Sequence, residues 1–151
     1  MLQHARLAAE LCSALAQQVD ASTVDAVISP ALGGILVGQE LARFLDKRHI
    51  FAEKEEGKLV LRRGFKIARD ERFLVAEDVV TQGGRVRETI EIVRSRGGIV
   101  SAVAVLVNRS TNPVDFGAPF HSLVRMQVET FPPDRLPDDL KAIPAIKPGS
   151  K

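Results

Sequence analysis

The segment 77-EDVVTQGGR-85 joins two adjacent acids to a glycine turn, directly after the apolar run from Phe73 to Ala76 and before a helical pattern. A glycine turn that leads into a helix presents backbone N–H groups at the positive end of the helix dipole, where a phosphate can bind. Thr81 can add a hydroxyl donor, and Arg85 can add a positive charge. The alternative interpretation is an ordinary strand-to-helix turn that is capped by Thr81.

Glu77 and Asp78 would repel a phosphate unless they bind another part of the same ligand. Ionised carboxylates accept hydrogen bonds, and the vicinal hydroxyls of a ribose donate them, so a ribose is the natural target. An acid can also help to place a magnesium ion that neutralises the ligand. The sequence contains neither a G-x-x-x-x-G-K-[ST] motif nor a G-x-G-x-x-G motif after a strand, which argues against a P-loop and a dinucleotide site.

Apolar runs and helical periodicities alternate along the chain. They predict helices over 5–19, 31–45 and 84–96, and strands over 24–29, 49–52, 72–77, 99–107 and 121–128. This alternation predicts an α/β fold, with a mostly parallel twisted sheet flanked by helices. Such sheets bind ligands at the carboxyl ends of their strands. The unusual residues fall at three such ends: 30–34, 77–85 and 108–110.

Length and composition are those of one soluble globular domain, which we expect to span residues 1–151 with a proline-rich, largely irregular tail over 132–151. A net charge of +2, with seven Phe and neither Trp nor Tyr, argues against a nucleic-acid-binding module. No apolar run approaches the roughly 20 residues that cross a membrane. The first residues lack the pattern of a secretory signal, so the cytoplasm is the expected compartment.

Thiol and metal chemistry find little support in the sequence. The single cysteine, Cys12, excludes an internal disulfide and lies at helical spacing among apolar residues, which favours a role in the core. The histidines His4, His49 and His121 are far apart and lack the spacing of zinc ligands.

The segment 77-EDVVTQGGR-85 resembles the phosphoribosyl-diphosphate (PRPP) loop of the type I phosphoribosyltransferases. The whole chain resembles the orotate phosphoribosyltransferases of bacteria and archaea. The stretches that carry this likeness are 29-SPALGGILVGQELAR-43, 51-FAEKEEGKLVLRRGF-65, 74-LVAEDVVTQGG-84, 106-LVNRS-110 and 144-PAIKPGS-150. The resemblance implies a Rossmann-like fold and the transfer of phosphoribose from PRPP to orotate, which yields orotidine 5′-monophosphate and pyrophosphate. It also implies Mg²⁺ as cofactor, held mainly by PRPP and not by direct protein ligands.

The resemblance implies a role for each part of the motif. Glu77 and Asp78 match the acids that hold the ribose hydroxyls, and Asp78 is a candidate catalytic residue. The remaining PRPP-binding positions, around the 5′-phosphate, are Val79, Val80, Thr81, Gln82, Gly83, Gly84 and Arg85. Thr81 also matches a position near orotate, and Arg109 matches the arginine that contacts it. A guanidinium pairs well with the orotate carboxylate, although Arg109 alone reads as a surface salt-bridge residue.

Two further segments match parts of the family site. The charged stretch 53-EKEEGKLVLRRGFK-66 reads either as a solvated hairpin or as a flexible basic lid over 53–67. In the family this lid closes over the leaving pyrophosphate and reaches the neighbouring subunit's site, which implies a homodimer. Lys54 and Lys58 are its candidate catalytic residues, since cations there meet the developing negative charge.

The other segment is Ala31, Leu32, Gly33 and Gly34, which matches the loop that approaches pyrophosphate with backbone amides. Its alternative interpretation is a strand-to-helix turn with a glycine for packing.

The sequence departs from the family in three places. Gln82 and Arg85 stand where relatives usually continue the loop as Thr-Gly-Gly-Ser. The Cys-x-x-Cys pair of some relatives is lacking around Leu136 and Asp139, so we expect no metal there. The chain begins at the helix that follows the family's N-terminal hood. Either the natural start lies upstream of Met1 or the hood is missing, and in the second case we expect PRPP binding to survive with orotate binding weakened. Two alternatives stay open: a phosphoribosyltransferase for another base, such as a purine, and a non-catalytic module that senses PRPP or a nucleotide.

Overall fold

The structure is a computed structural model that describes residues 2–129 and 131–144. Its helices are α1 (Ala5–Ala16), α2 (Gly33–Leu45), α3 (Gly84–Arg94) and α4 (Asp138–Lys141). Its strands are β1 (Ala26–Pro30), β2 (Arg48–Glu55), β3 (Lys58–Leu61), β4 (Arg72–Val80), β5 (Ile99–Asn108) and β6 (Phe120–Arg125). Two short 3₁₀ turns lie at Ala21–Thr23 and Pro133–Arg135.

The six strands form one sheet in the order β3-β2-β1-β4-β5-β6. Every neighbouring pair is parallel except β2 and β3, which form an antiparallel hairpin at one edge. The predicted α/β fold with a mostly parallel sheet is therefore confirmed. The hairpin covers most of the stretch 53–67, in which the sequence predicted it.

The two faces of the sheet pack against different helices. Because successive strand residues point to opposite faces, Leu74 of β4 packs with α1 and α2 while its neighbour Phe73 packs with α3. This two-sided cover explains the continuous apolar runs within these strands: 26–28 in β1, 73–76 in β4 and 102–107 in β5. Cys12 is fully buried in the first of these clusters, as predicted, and burial raises the pKa of its thiol to about 11.

The predicted end of β4 at Glu77 is wrong, because the strand continues to Val80. Val79 and Val80 pair with Val107 and Asn108 of β5, so the sheet ladder passes beyond the two acids. The backbone of β4 is therefore paired with β5 both before and after Glu77 and Asp78 along the chain. Their carboxylates are fixed by the sheet more firmly than residues of a loop would be.

The described part of the tail, residues 131–144, is mostly exposed and contains only a 3₁₀ turn and the one-turn helix α4. Residues 145–151 lie outside the described part, and so does most of the stretch 144–150 that carries the resemblance at this end. Among the helices described here, none has the length and apolar character that crossing a bilayer requires.

Candidate active site

The main cavity lies at the carboxyl end of β4 and has a volume of about 480 Å³. The turn between β4 and α3 forms most of its wall, and the start of α2 closes one side. The lining residues are Gly33, Glu77, Asp78, Val79, Val80, Thr81, Gln82, Gly83, Gly84, Arg85, Val86 and Glu88. The structure therefore gathers the whole predicted PRPP-binding segment around one cavity, together with a glycine from the predicted pyrophosphate loop.

The two acids are held by backbone donors and by the glycines of α2. The Asp78 N–H donates to Glu77 Oε1 at 3.0 Å, and the Val79 N–H donates to Asp78 Oδ1 at 2.7 Å. The Asp78 carboxylate lies against Gly33, and Glu77 Oε1 would stand 2.9 Å from a Cβ at Gly34. Only residues without a side chain allow both carboxylates to come so close to the start of α2.

Glu77 has the more enclosed carboxyl group, with 5% of the residue exposed. Burial, together with the neighbouring Asp78 carboxyl group, raises the pKa of Glu77 to about 8, although the Asp78 N–H and the Arg85 charge act in the opposite direction. Asp78 is partly exposed and faces the cavity. The pair thus combines one desolvated carboxyl group with one that ligand and solvent reach.

The turn over residues 81–85 presents a set of free backbone donors. Among the described residues, no acceptor receives a hydrogen bond from the backbone N–H groups of 81–85. Gly83 is the N-cap of α3 with a φ of 77°, and the first turn of this helix contains no acid. Free N–H groups at a helix N-terminus form an anion site, which fits the predicted phosphate loop.

The predicted pyrophosphate loop reaches the same cavity through Gly33, which lines it, whereas Ala31, Leu32 and Gly34 do not. The N–H groups of Leu32, Gly33 and Gly34 also donate to no acceptor within residues 2–129 and 131–144. The peptide bond between Ala31 and Leu32 is cis. Arg85 Nη1 donates to the Ala31 carbonyl oxygen at 2.9 Å, so a side chain of one loop is bonded to the backbone of the other. Two groups of amide donors therefore meet at a single cavity.

A second cavity of about 190 Å³ adjoins the first and shares Thr81 and Gln82 with it. Its other walls are Arg109, Thr111 and Val128. The Arg109 N–H donates to the Val80 carbonyl oxygen at 2.7 Å, which ties the chain after β5 to the end of β4. The two residues predicted to contact the base, Thr81 and Arg109, are thus brought together beside the phosphate loop.

The hairpin lysines are not brought into the main cavity. Lys54 and Lys58 are exposed, line neither cavity described above, and form no ion pair in the part of the chain that the structure describes. The two hairpin arginines, by contrast, are paired within the hairpin: Arg62 with Glu55 at 2.8 Å and Arg63 with Glu53 at 2.8 Å.

Three residues of the site were not identified from the sequence. Glu88 lines the main cavity and accepts a hydrogen bond from the Leu59 N–H of the hairpin at 3.2 Å. Arg87 Nη1 donates to the Gln82 carbonyl oxygen at 2.6 Å, and its guanidinium lies over the ring of Phe116. Charged residues of an early helical turn look like an ordinary solvated face, and Phe116 lies in a loop without a recognisable pattern.

The described residues contain no group of three or more His, Cys, Asp or Glu side chains that could hold a metal ion. Glu77, Asp78 and Glu88 line the cavity without forming such a group, so they cannot supply the six ligands that Mg²⁺ takes. These residues fit a magnesium ion that arrives with most of its ligands supplied by a phosphorylated substrate and water.

Comparison with known proteins gives consistent matches. The family model of the phosphoribosyl transferase domain matches residues 1–132. The chain is 50% identical over 151 residues to an orotate phosphoribosyltransferase of Caldicellulosiruptor bescii, a match that covers 100% of this chain and 80% of that protein. It is 48% identical over 147 residues to the orotate phosphoribosyltransferase of Carboxydothermus hydrogenoformans, covering 96% of this chain and 77% of the relative.

Solved structures show the same fold. The crystal structure of orotate phosphoribosyltransferase from Aeropyrum pernix superposes with a TM-score of 0.61 at 26% identity, covering 78% of this chain and 71% of that one. An adenine phosphoribosyltransferase from Thermoanaerobacter pseudethanolicus gives a TM-score of 0.70 at 19% identity, covering 83% of each chain. At that identity the second likeness concerns the fold alone.

Proposed function

The chain belongs to the phosphoribosyl transferase family and, within it, to the orotate phosphoribosyltransferases, and we propose that it transfers phosphoribose from PRPP to orotate. The products are orotidine 5′-monophosphate and pyrophosphate, and the reaction belongs to pyrimidine biosynthesis. One observation carries the proposal: two amide loops and an acid pair surround one cavity, and a second cavity with an arginine adjoins it.

The proposed binding mode assigns each part of PRPP to one of these groups. Residues 81–85 bind the 5′-phosphate through their backbone N–H groups, and residues 31–34 bind the diphosphate in the same way. Glu77 and Asp78 accept hydrogen bonds from the 2′- and 3′-hydroxyls of the ribose. The ribose then occupies the space between the 31–34 and 81–85 loops, with its C1′ directed towards the second cavity.

In the reaction, the bond between C1′ and the diphosphate oxygen breaks, and its electron pair leaves with pyrophosphate. The ribose gains oxocarbenium character, and a ring nitrogen of orotate attacks C1′ while its N–H proton passes to the departing pyrophosphate or to solvent. Fixed N–H donors at the diphosphate stabilise the negative charge that develops there. Carboxylates at the ribose hydroxyls hold C1′ in line with the attacking base. When bound, Mg²⁺ neutralises charge on PRPP, and Glu77 and Asp78 are the residues that would lie beside it.

Arg109 is proposed to select the base. Orotate carries a carboxylate that a guanidinium binds well, whereas a neutral purine offers no such group. The position of Arg109 beside Thr81 supports this role. Incubation of PRPP with equal amounts of orotate and adenine tests it: only the orotate nucleotide should form, and Arg109→Ala should mainly raise the KM for orotate. Preferential formation of the adenine nucleotide would assign the enzyme to a purine base.

The hairpin is proposed to act as a lid, with Lys54 and Lys58 as its cations, over the site of a neighbouring subunit in a cytoplasmic homodimer. Their exposure, and the absence of ion pairs to them within the described residues, support this role. Mixing an inactive Asp78→Asn variant with an inactive Lys54→Ala variant tests the arrangement. Subunit exchange should restore activity, because mixed dimers contain one site with both groups intact. Activity of either variant on its own before mixing, or a monomeric protein in analytical ultracentrifugation, would contradict the arrangement.

The main test is formation of orotidine 5′-monophosphate from PRPP, orotate and MgCl₂ by the purified protein. We expect turnover that requires all three components, and Asp78→Asn should reduce it strongly by weakening PRPP binding. Removal of Mg²⁺ with EDTA should abolish the activity, and added MgCl₂ should restore it. Binding of PRPP without any turnover would instead indicate a sensing module.

A further inference from the structure

The side chain of Arg85 connects two parts of the site that are far apart in sequence. Its backbone lies in the first turn of α3, within the proposed 5′-phosphate loop. Its Nη1 donates to the carbonyl oxygen of Ala31, in the proposed pyrophosphate loop, at 2.9 Å. Arg85 also lines the main cavity and is close enough to Glu77 to lower the pKa of that carboxyl group.

A cation at this position is unfavourable for the helix itself. The N-terminus of a helix carries partial positive charge, which favours acids in the first turn and disfavours Lys or Arg. The first turn of α3 nevertheless contains two arginines and no acid. Arg87 of this turn bonds to the Gln82 carbonyl oxygen on the same loop, whereas Arg85 bonds across the cavity.

Arg85 also keeps its charge available. Glu77, Asp78 and Glu88 line the same cavity, yet within residues 2–129 and 131–144 no carboxylate forms an ion pair with Arg85. A guanidinium has five N–H donors, and one bond to Ala31 leaves most of them for a ligand. The cost of placing this charge at the helix N-terminus is offset when an anion binds there.

Building on the proposed function, we propose that Arg85 is a positioning residue that makes pyrophosphate binding depend on the 5′-phosphate loop. Its bond to Ala31 occupies a carbonyl oxygen that would otherwise repel phosphate oxygens. The same bond holds the loop so that the N–H groups of Leu32, Gly33 and Gly34 stay directed at the diphosphate. Its remaining donors then place positive charge between the two phosphorylated ends of PRPP.

Calorimetric titration with the two halves of the ligand tests this assignment. Ribose 5-phosphate probes the 5′-phosphate loop, and inorganic pyrophosphate with Mg²⁺ probes the loop over 31–34. Loss of a charged hydrogen bond at a partly enclosed site weakens binding by about tenfold or more. We therefore expect Arg85→Ala to weaken pyrophosphate binding by about that factor. We expect Arg85→Lys to lie between Arg85→Ala and the unchanged protein, because lysine keeps the charge but lacks the planar fork.

Arg94→Ala is the matched control, since it removes one charge from the last turn of the same helix, away from the cavity. It should leave both affinities unchanged. In turnover, Arg85→Ala should raise the KM for PRPP and lower kcat. A purely structural role would lower Tm and leave both kinetic parameters of the folded protein unchanged. If Arg85→Ala does not fold, Arg85→Lys provides the comparison.

Weakened binding of ribose 5-phosphate with unchanged pyrophosphate affinity would overturn the inference, because Arg85 would then serve its own loop alone. Equal affinities in Arg85→Lys and the unchanged protein would also overturn it. The proposed function fails separately, if the unchanged protein does not convert PRPP and orotate at all.

Discussion

Gly33-Gly34 opens α2 and Gly83-Gly84 opens α3, so the same dipeptide begins both helices that border the main cavity. The two pairs meet different surroundings. A Cβ at Gly33 would collide with the carboxylate of Asp78, and one at Gly34 would stand 2.9 Å from Glu77 Oε1. At Gly83 the backbone has a φ of 77°, and a Cβ would also stand 2.9 Å from the ring of Phe116, while a Cβ at Gly84 would have no heavy atom within 4 Å.

The first pair is therefore required by side chains from another strand, whereas Gly83 is required by its own backbone conformation and by the nearby ring of Phe116. Gly33 and Gly34 allow the acids of β4 to approach the start of α2, which joins the proposed pyrophosphate loop to the proposed ribose site. Gly83 sets the direction in which the 81–85 turn enters α3, and Gly84 leaves open space above that turn. A substitution in the first pair should thus disturb two functions at once, and one in the second pair only phosphate binding.

Gly33→Ala should have the largest effect. The added methyl group forces the Asp78 carboxylate or the loop to move, and a displacement of about 1 Å in a reacting site costs roughly 100-fold in kcat/KM. Overpacking should also destabilise the protein by about 1–3 kcal/mol. Steady-state kinetics and thermal denaturation measure the two effects.

The double variant Gly33→Ala/Asp78→Ala controls for the cause of this loss. Removing the carboxylate removes the collision, so its Tm should equal that of Asp78→Ala alone. If the double variant is as unstable as the sum of the single variants, the glycine is needed for another reason.

Gly83→Ala should have the second largest effect. An alanine in the left-handed region costs about 1–2 kcal/mol, and its Cβ would stand 2.9 Å from the ring of Phe116. A chain of this length should lose about 2–4 °C of Tm for each kcal/mol. The KM for PRPP should rise while the KM for orotate changes little. Adding Phe116→Leu should recover only the steric part of the lost stability, and complete recovery would show that φ is not limiting.

Much of the fold, and the position of the cavity that forms the candidate site, could be predicted from the sequence. The alternation of apolar strands and amphipathic helices is a local signal, and it predicted the parallel sheet and the edge at which the candidate site lies. The segment 77–85 carries its chemistry in consecutive residues, so its gathering around one cavity needed no knowledge of tertiary contacts. Both glycine turns were recognised for the same reason.

The reason for each glycine could not be predicted, since it depends on distances between segments. The residues near Gly33 in the sequence do not indicate that Asp78, 45 positions later, lies against this glycine. The bond from Arg85 to Ala31 and the support of Gln82 by Arg87 are tertiary in the same way. The end of β4 was misplaced because two adjacent acids look like the end of a buried strand, whereas pairing with β5 continues past them.

Glu77→Gln tests how the buried carboxyl group beside Gly34 makes the stability of the protein depend on pH. The pKa of Glu77 is raised from 4.5 to about 8, so over this range the folded protein keeps a proton that the unfolded chain has lost. Stability should therefore fall as the pH rises through this window and level off above it. Glutamine cannot ionise, so Glu77→Gln should raise Tm by several degrees above pH 8 and change it little near pH 5. Glu88→Gln, which alters an exposed carboxylate of the same cavity, controls for the loss of charge.

Gly84→Ala should have the smallest effect, and it tests whether the second loop is open for a ligand. With no heavy atom within 4 Å of the added Cβ, the free energy of unfolding should change by no more than about 0.5 kcal/mol. The methyl group would nevertheless project from the turn that is proposed to hold the 5′-phosphate. The KM for PRPP should rise a few-fold while Tm and the KM for orotate stay constant. A loss of stability comparable to that of Gly83→Ala would show that both glycines of this pair serve the backbone, and that the space above Gly84 is not reserved for phosphate.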